Sequence, residues 1–105
     1  MPEPIIPRVA RGEAKAIEAC VESWGRLIWS IARKYTRTES DAEDLTQEIF
    51  TKLWRNAAKY DPSKGSETSF IATLARRRSI DWLRKQGRRP QLEPMTEEIS
   101  NLQSY

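Results

Sequence analysis

Two stretches hold most of the residues able to do chemistry. The first is "DAEDLTQE", residues 41–48, where Asp41, Glu43, Asp44, Gln47 and Glu48 lie close together. Clustered carboxylates can hold a metal ion, exchange protons, or present a charged face to a protein partner. The second is residues 68–89, where Arg76, Arg77, Arg78, Arg84, Lys85, Arg88 and Arg89 face Asp81 alone. That bias suits contact with nucleic-acid phosphates. Histidine is absent and Cys20 is the one cysteine. The usual zinc sets and the Ser-His and Cys-His nucleophile pairs are therefore excluded. Gly12, Gly25, Gly65 and Gly87 are scattered, so no glycine-rich phosphate loop is present. By elimination the chain reads as a binding domain, not an enzyme, with no cofactor, catalytic set or metal site expected.

These residues sit in a chain of 105, enough for one compact domain. A 38% hydrophobic and 31% charged composition suits a small helical domain with a thin core. The net charge is only +3, but it is distributed in blocks. Residues 23–38 carry Arg26, Arg33, Lys34 and Arg37 without an acid, and residues 39–48 carry five acids without a base. The tail from Pro90 is acidic again. Blocks of opposite sign suggest two unlike partners, a polyanion for the basic end and another for the acidic helix. No apolar run approaches the ~20 residues of a membrane span, and the N-terminus lacks a signal-peptide pattern. A cytoplasmic location with no membrane contact is expected. Cys20 reads as a small buried apolar residue.

The elements that must position the two stretches are helices. Three prolines among residues 1–11 predict an irregular start. Helical spacing then recurs over residues 12–22 and 23–36, as one bent helix or two short ones around Gly25. Ser40 followed by Glu43 has the capping-box spacing, with Asp41, Glu43 and Asp44 in a first turn whose dipole favours negative charge. That helix is expected to reach Ala58. Residues 59–66 read as loop, with Ser66 capping a last helix that runs to Gln86. The fold class is all-α, a small bundle of three or four helices. An ordinary solvated helix end explains Asp41, Glu43 and Asp44, but not Gln47 and Glu48, which lie further in. On the last helix, Phe70, Ile71, Leu74 and Ala75 share an apolar face at ~100° per residue, and Thr73, Arg77, Ile80 and Arg84 fall on the other side. Arg78 falls inside the apolar sector and is expected to snorkel along its edge.

"SDAEDLTQEIFTKLW", then "YDPSKGS", then "FIATLARRRSIDWLRK" resembles region two of bacterial RNA polymerase sigma factors, most closely the extracytoplasmic-function group. The resemblance covers residues 12–89, leaving residues 90–105 as a flexible acidic tail or the start of an interdomain linker. It implies that the acidic helix docks on the coiled coil of the polymerase β′ clamp, through Asp41, Asp44, Gln47, Glu48 and Arg55. It implies that the loop and last helix recognise and help melt the minus-ten promoter element. A base flipped from the non-template strand would be held by the loop, through Lys59, Tyr60, Lys64 and Ser66. Arg76, Arg77, Arg84, Lys85, Arg88 and Arg89 would meet the backbone and strand junction. Tyr60 either stacks on a base or anchors the helix end. The sequence departs from the family at Arg77, where Asn is common, at Arg78, where an aliphatic residue is common, and at Phe70, usually Trp. Family members also carry a second domain that reads the minus-thirty-five element; this sequence reads as an isolated domain or a naturally short protein. The competing reading is an interaction-only protein that binds polymerase or an anti-sigma factor without reading a promoter.

Overall fold

A computed structural model describes residues 3–86 of the chain. Four helices follow one another: α1 (Ile5–Ala10), α2 (Ala14–Tyr35), α3 (Glu39–Asn56) and α4 (Glu67–Lys85), with a 3-10 turn, Ala57–Lys59, after α3. No strand occurs among the described residues, so the all-α expectation holds. None of these helices is long and apolar enough to cross a membrane. Arg88, Arg89 and the acidic tail lie outside the described residues.

α2 is the central element and packs against the other three helices. It is one continuous helix of 22 residues. Ala16, Cys20, Ile28, Ile31, Ala32 and Tyr35 are buried along it, at the three- and four-residue spacing of one face. Gly25 does not break it. A methyl group at Gly25 would meet only Val21 Cγ1, at an ordinary 4.0 Å. Gly25→Ala is therefore expected to raise the unfolding free energy by about 0.5–1 kcal/mol, through the entropy glycine gives the unfolded chain. A denaturant midpoint shifted downward would show that Gly25 is held there by packing.

The expected irregular start is corrected. Residues Ile5–Ala10 form a short helix that buries Ile6 and Val9. The prolines permit this because the first turn of a helix has no internal use for its N–H groups. Pro4 is the N-cap and Pro7 lies within that turn. The Ile6 N–H donates to a carboxylate oxygen of Glu67, across 61 residues of sequence. Gly12 adopts φ +79° between α1 and α2, a left-handed turn that glycine enters without strain.

The start of α3 is also corrected. Thr38, not Ser40, is the N-cap; its hydroxyl accepts from the Asp41 N–H at 3.1 Å. Asp41 takes the third helical place, as an acid spaced like the glutamate of a capping box. Ala42, Leu45, Ile49 and Leu53 then form the buried stripe of α3. Ser66 caps α4 as expected, accepting from the Ser69 N–H at 3.0 Å.

α4 is buried over a wider arc than one apolar face. Ile71, Ala72, Thr73, Ala75, Arg76, Ser79, Trp82 and Leu83 are all buried, while Phe70 and Leu74 sit at the edge. The reason is that α4 packs against both α2 and α3. Thr73, expected on the outer side, is thereby enclosed, and so is Arg76, which is 4% exposed. Ser79 tolerates burial because its hydroxyl donates to the Ala75 carbonyl at 2.8 Å. Cys20 is fully buried, and burial, helped by Glu67, pushes its thiol up to about 12. It stays protonated at neutral pH and behaves as an apolar residue.

Candidate functional site

The outer face of α3 is built by its own periodicity. With Leu45, Ile49 and Leu53 turned inward, Asp44, Gln47, Thr51 and Arg55 turn to solvent. The Thr51 hydroxyl donates to the Gln47 carbonyl at 3.0 Å. The face does not stand alone. α4 contributes Arg78, Trp82 and Lys85 to an open basin of about 730 Å³, whose α3 side is Asp44, Gln47, Glu48, Thr51, Lys52 and Arg55. Four of the five proposed docking residues meet there; Asp41 lies outside it. The basin is of mixed charge, acids toward the start of α3 and bases toward its end and along α4. Lys85, grouped by sequence with the DNA-contacting bases, belongs to this basin. The Arg78 guanidinium donates to Glu48 and forms an ion pair with it. This explains the arginine inside an apolar sector: its stem runs along the core edge and its head finds a carboxylate.

Adjoining the basin along the α3–α4 pair, and sharing Lys52 and Arg78 with it, is a half-open cleft of about 350 Å³. Lys52, Asn56 and Lys59 line it from the end of α3 and the turn. Phe70, Thr73, Leu74, Arg77, Arg78 and Asp81 line it from α4. Four cations face one acid around an aromatic and an aliphatic side chain. The Thr73 hydroxyl is buried and has no hydrogen-bond partner among the described residues. A buried hydroxyl without a partner is uncommon. The cleft can hold phosphates by charge and a flat apolar ring by contact.

The structure sorts the proposed DNA-contacting residues. Lys59 and Arg77 come together in the cleft. Arg84 is exposed near the end of α4. Lys64 is exposed in the turn after Asp61, its N–H donating to the Asp61 carbonyl at 3.0 Å. Ser66 is occupied as a helix cap. Tyr60 takes the anchoring alternative: its ring packs against Phe70 at 5.3 Å between centroids, and its hydroxyl donates to the Gly65 carbonyl at 3.0 Å. Arg76 is corrected. It faces the core and not a DNA backbone, and burial pulls its guanidinium below the ordinary value. The turn is stiffened by Asp61, whose carboxylate accepts from both the N–H and the hydroxyl of Ser63. Those bonds hold the Asp61 carboxyl below the usual range.

Sequence reasoning missed Lys52 and Asn56. Their spacing to Lys59, four residues and then three, is that of one helix face and was the available signal. Asn56 also donates from its amide to the Lys52 carbonyl at 2.8 Å, which fixes its orientation.

The α3–α4 pair thus carries a mixed-charge basin and, adjoining it, a basic cleft lined in part by Phe70. The chain belongs to the Sigma-70 region 2 family, which matches residues 20–89. It is 34% identical over 82 residues to a protein of Mycolicibacterium vanbaalenii named ECF RNA polymerase sigma factor SigK, covering 78% of this chain and 42% of that protein. The like-named protein of Mycobacterium ulcerans is 31% identical over 80 residues, covering 76% of this chain and 43% of its own length. That of Mycobacterium tuberculosis is 30% identical over the same length and shares. The chain thus spans less than half the length of the curated relatives it matches. No solved structure matches it.

Proposed function

We propose that this chain is a sigma-type promoter-recognition domain acting in transcription initiation. The basin on α3, centred on Asp44, Gln47 and Glu48, docks on the β′ clamp of core RNA polymerase. The α3–α4 cleft, with the neighbouring turn, holds the opened non-template strand of the minus-ten element. The observation that supports this reading is the pair of unlike faces on one helix pair, in a chain of the Sigma-70 region 2 family.

The division of labour follows from chemistry. The bases of the cleft hold phosphates without sequence information, and ring contact at Phe70 favours an unstacked base. Extruding a base costs a few kcal/mol, which a domain this small recovers poorly alone. Strand capture therefore needs the polymerase to hold the domain in place. No step requires a bond to be made or broken by this chain.

The deciding experiment is a titration of bacterial core RNA polymerase with the chain. A saturable complex is expected, and a folded chain that does not bind would overturn the reading. In that complex, Lys59→Ala with Arg77→Ala is expected to weaken single-strand binding. It is expected also to flatten the salt dependence of log K by about 0.7 for each lost phosphate contact. An unaltered slope would remove both residues from the backbone contact.

A further inference from the structure

Arg78 lines both the basin and the cleft, and in the free chain its head is committed to Glu48. Glu48 is itself one of the acids offered to the polymerase. While the pair holds, each charge partly neutralises the other, so each attracts an outer partner less strongly than it would alone. The pair is partly open to water, with side-chain exposures of 18% for Arg78 and 38% for Glu48. A half-exposed ion pair is a weak lock that a better-matched partner can open.

We propose that Glu48 and Arg78 exchange partners and so couple the two faces. A cation of the docked polymerase takes Glu48. The released Arg78 head then turns on its flexible stem into the cleft, beside Lys52, Lys59 and Arg77, and meets a strand phosphate. The ion pair is broken once for both events. Binding at one face therefore strengthens binding at the other, by the same factor in both directions. In the free chain the pair withholds one cation from the cleft, which keeps DNA binding weak before docking. Asp81 is the one acid lining the cleft and is outnumbered there, so it does not hold Arg78 in Glu48's place once a phosphate is present.

This inference rests on the nucleic-acid reading of the cleft, and its test separates the two. The probe is single-stranded oligodeoxythymidine, bound to the full chain without polymerase. Glu48→Gln is expected to tighten binding by up to about fivefold, the strength of an exposed ion pair expressed as a ratio. It is expected also to steepen the salt slope by about 0.7, one phosphate contact on a single strand. Glu43→Gln, an exposed acid of α3 that lines neither site, makes the same change in net charge and is the control. The gain of Glu48→Gln over Glu43→Gln is expected to vanish in an Arg78→Leu background, with helicity followed in every variant. If Arg78→Leu does not fold, the slope comparison between the two glutamate variants decides alone. Equal behaviour of Glu48→Gln and Glu43→Gln would overturn the exchange and leave the cleft reading standing. Absence of binding by every variant would overturn the exchange, since release of Arg78 would then add nothing to the cleft. Strand binding in the polymerase complex, compared with the Lys59→Ala, Arg77→Ala variant, decides the cleft reading by itself.

Discussion

Asp44→Ala combined with Gln47→Ala is expected to weaken binding to core RNA polymerase by roughly a hundredfold to a thousandfold, as loss of two central interface residues does. Both side chains are exposed, so neither contributes packing. Both lie inside α3, where alanine is the best helix former, so the helix gains rather than loses propensity. The Thr38 cap and the buried stripe are untouched. The double variant should therefore melt with the wild type while its polymerase affinity collapses. Equilibrium binding and a thermal melt on the same preparations check both halves. Unchanged affinity would remove the basin from the docking surface. Unchanged affinity for Asp44→Ala alone, with loss for Gln47→Ala alone, would move its centre toward α4.

Leu45→Ala acts from the other side of the same helix. Leu45 is fully buried in the cluster shared by α2, α3 and α4. Truncating it removes apolar burial and leaves a cavity, at a cost of about 2–5 kcal/mol. A small domain has roughly 5–15 kcal/mol to lose, so the loss is a sizeable share of the total and nearly all of it at the low end of that range. Urea denaturation followed by helical signal measures this directly. A loss under about 1 kcal/mol would mean that α3 rests on the bundle less firmly than its buried stripe implies. The contrast with Asp44 and Gln47 matters for interpretation. Leu45→Ala is expected also to reduce polymerase binding, but through the unfolded fraction, and a stabilising background such as Gly25→Ala is expected to restore part of it.

Helix type and order were legible because each helix has an amphipathic stripe, and Ser66 announced α4 by its position before an apolar run. What periodicity could not convey is how many neighbours a helix has. α4 touches two, so its buried arc encloses Thr73 and Arg76, which a single-face reading turned outward. α1 was hidden by composition: three prolines usually argue against a helix, but here Pro4 and Pro7 occupy places that need no N–H. The start of α3 was misread by two residues because Thr38 and Ser40 have equivalent cap chemistry, and only backbone angles choose between them. At the site, the acids of α3 were plain in the sequence. Their company was not, because Arg78, Trp82 and Lys85 reach the basin from a helix that begins about 20 residues after the acids end. The cleft was legible in half, through Lys59 and Arg77. Its other wall needed the α3–α4 packing to exist.

The bond between the Ile6 amide and Glu67 carries a consequence for how the protein is made. α4 is the last of the described helices to leave the ribosome; the inner faces of α2 and α3 close upon it, and α1 is tied to it through the Ile6 amide and Glu67. Until Glu67 has emerged, the nascent chain can form its local helices but cannot shut the bundle, since loop closure must wait for the distant partner. Its apolar stripes are therefore expected to stay open until α4 arrives to cover them.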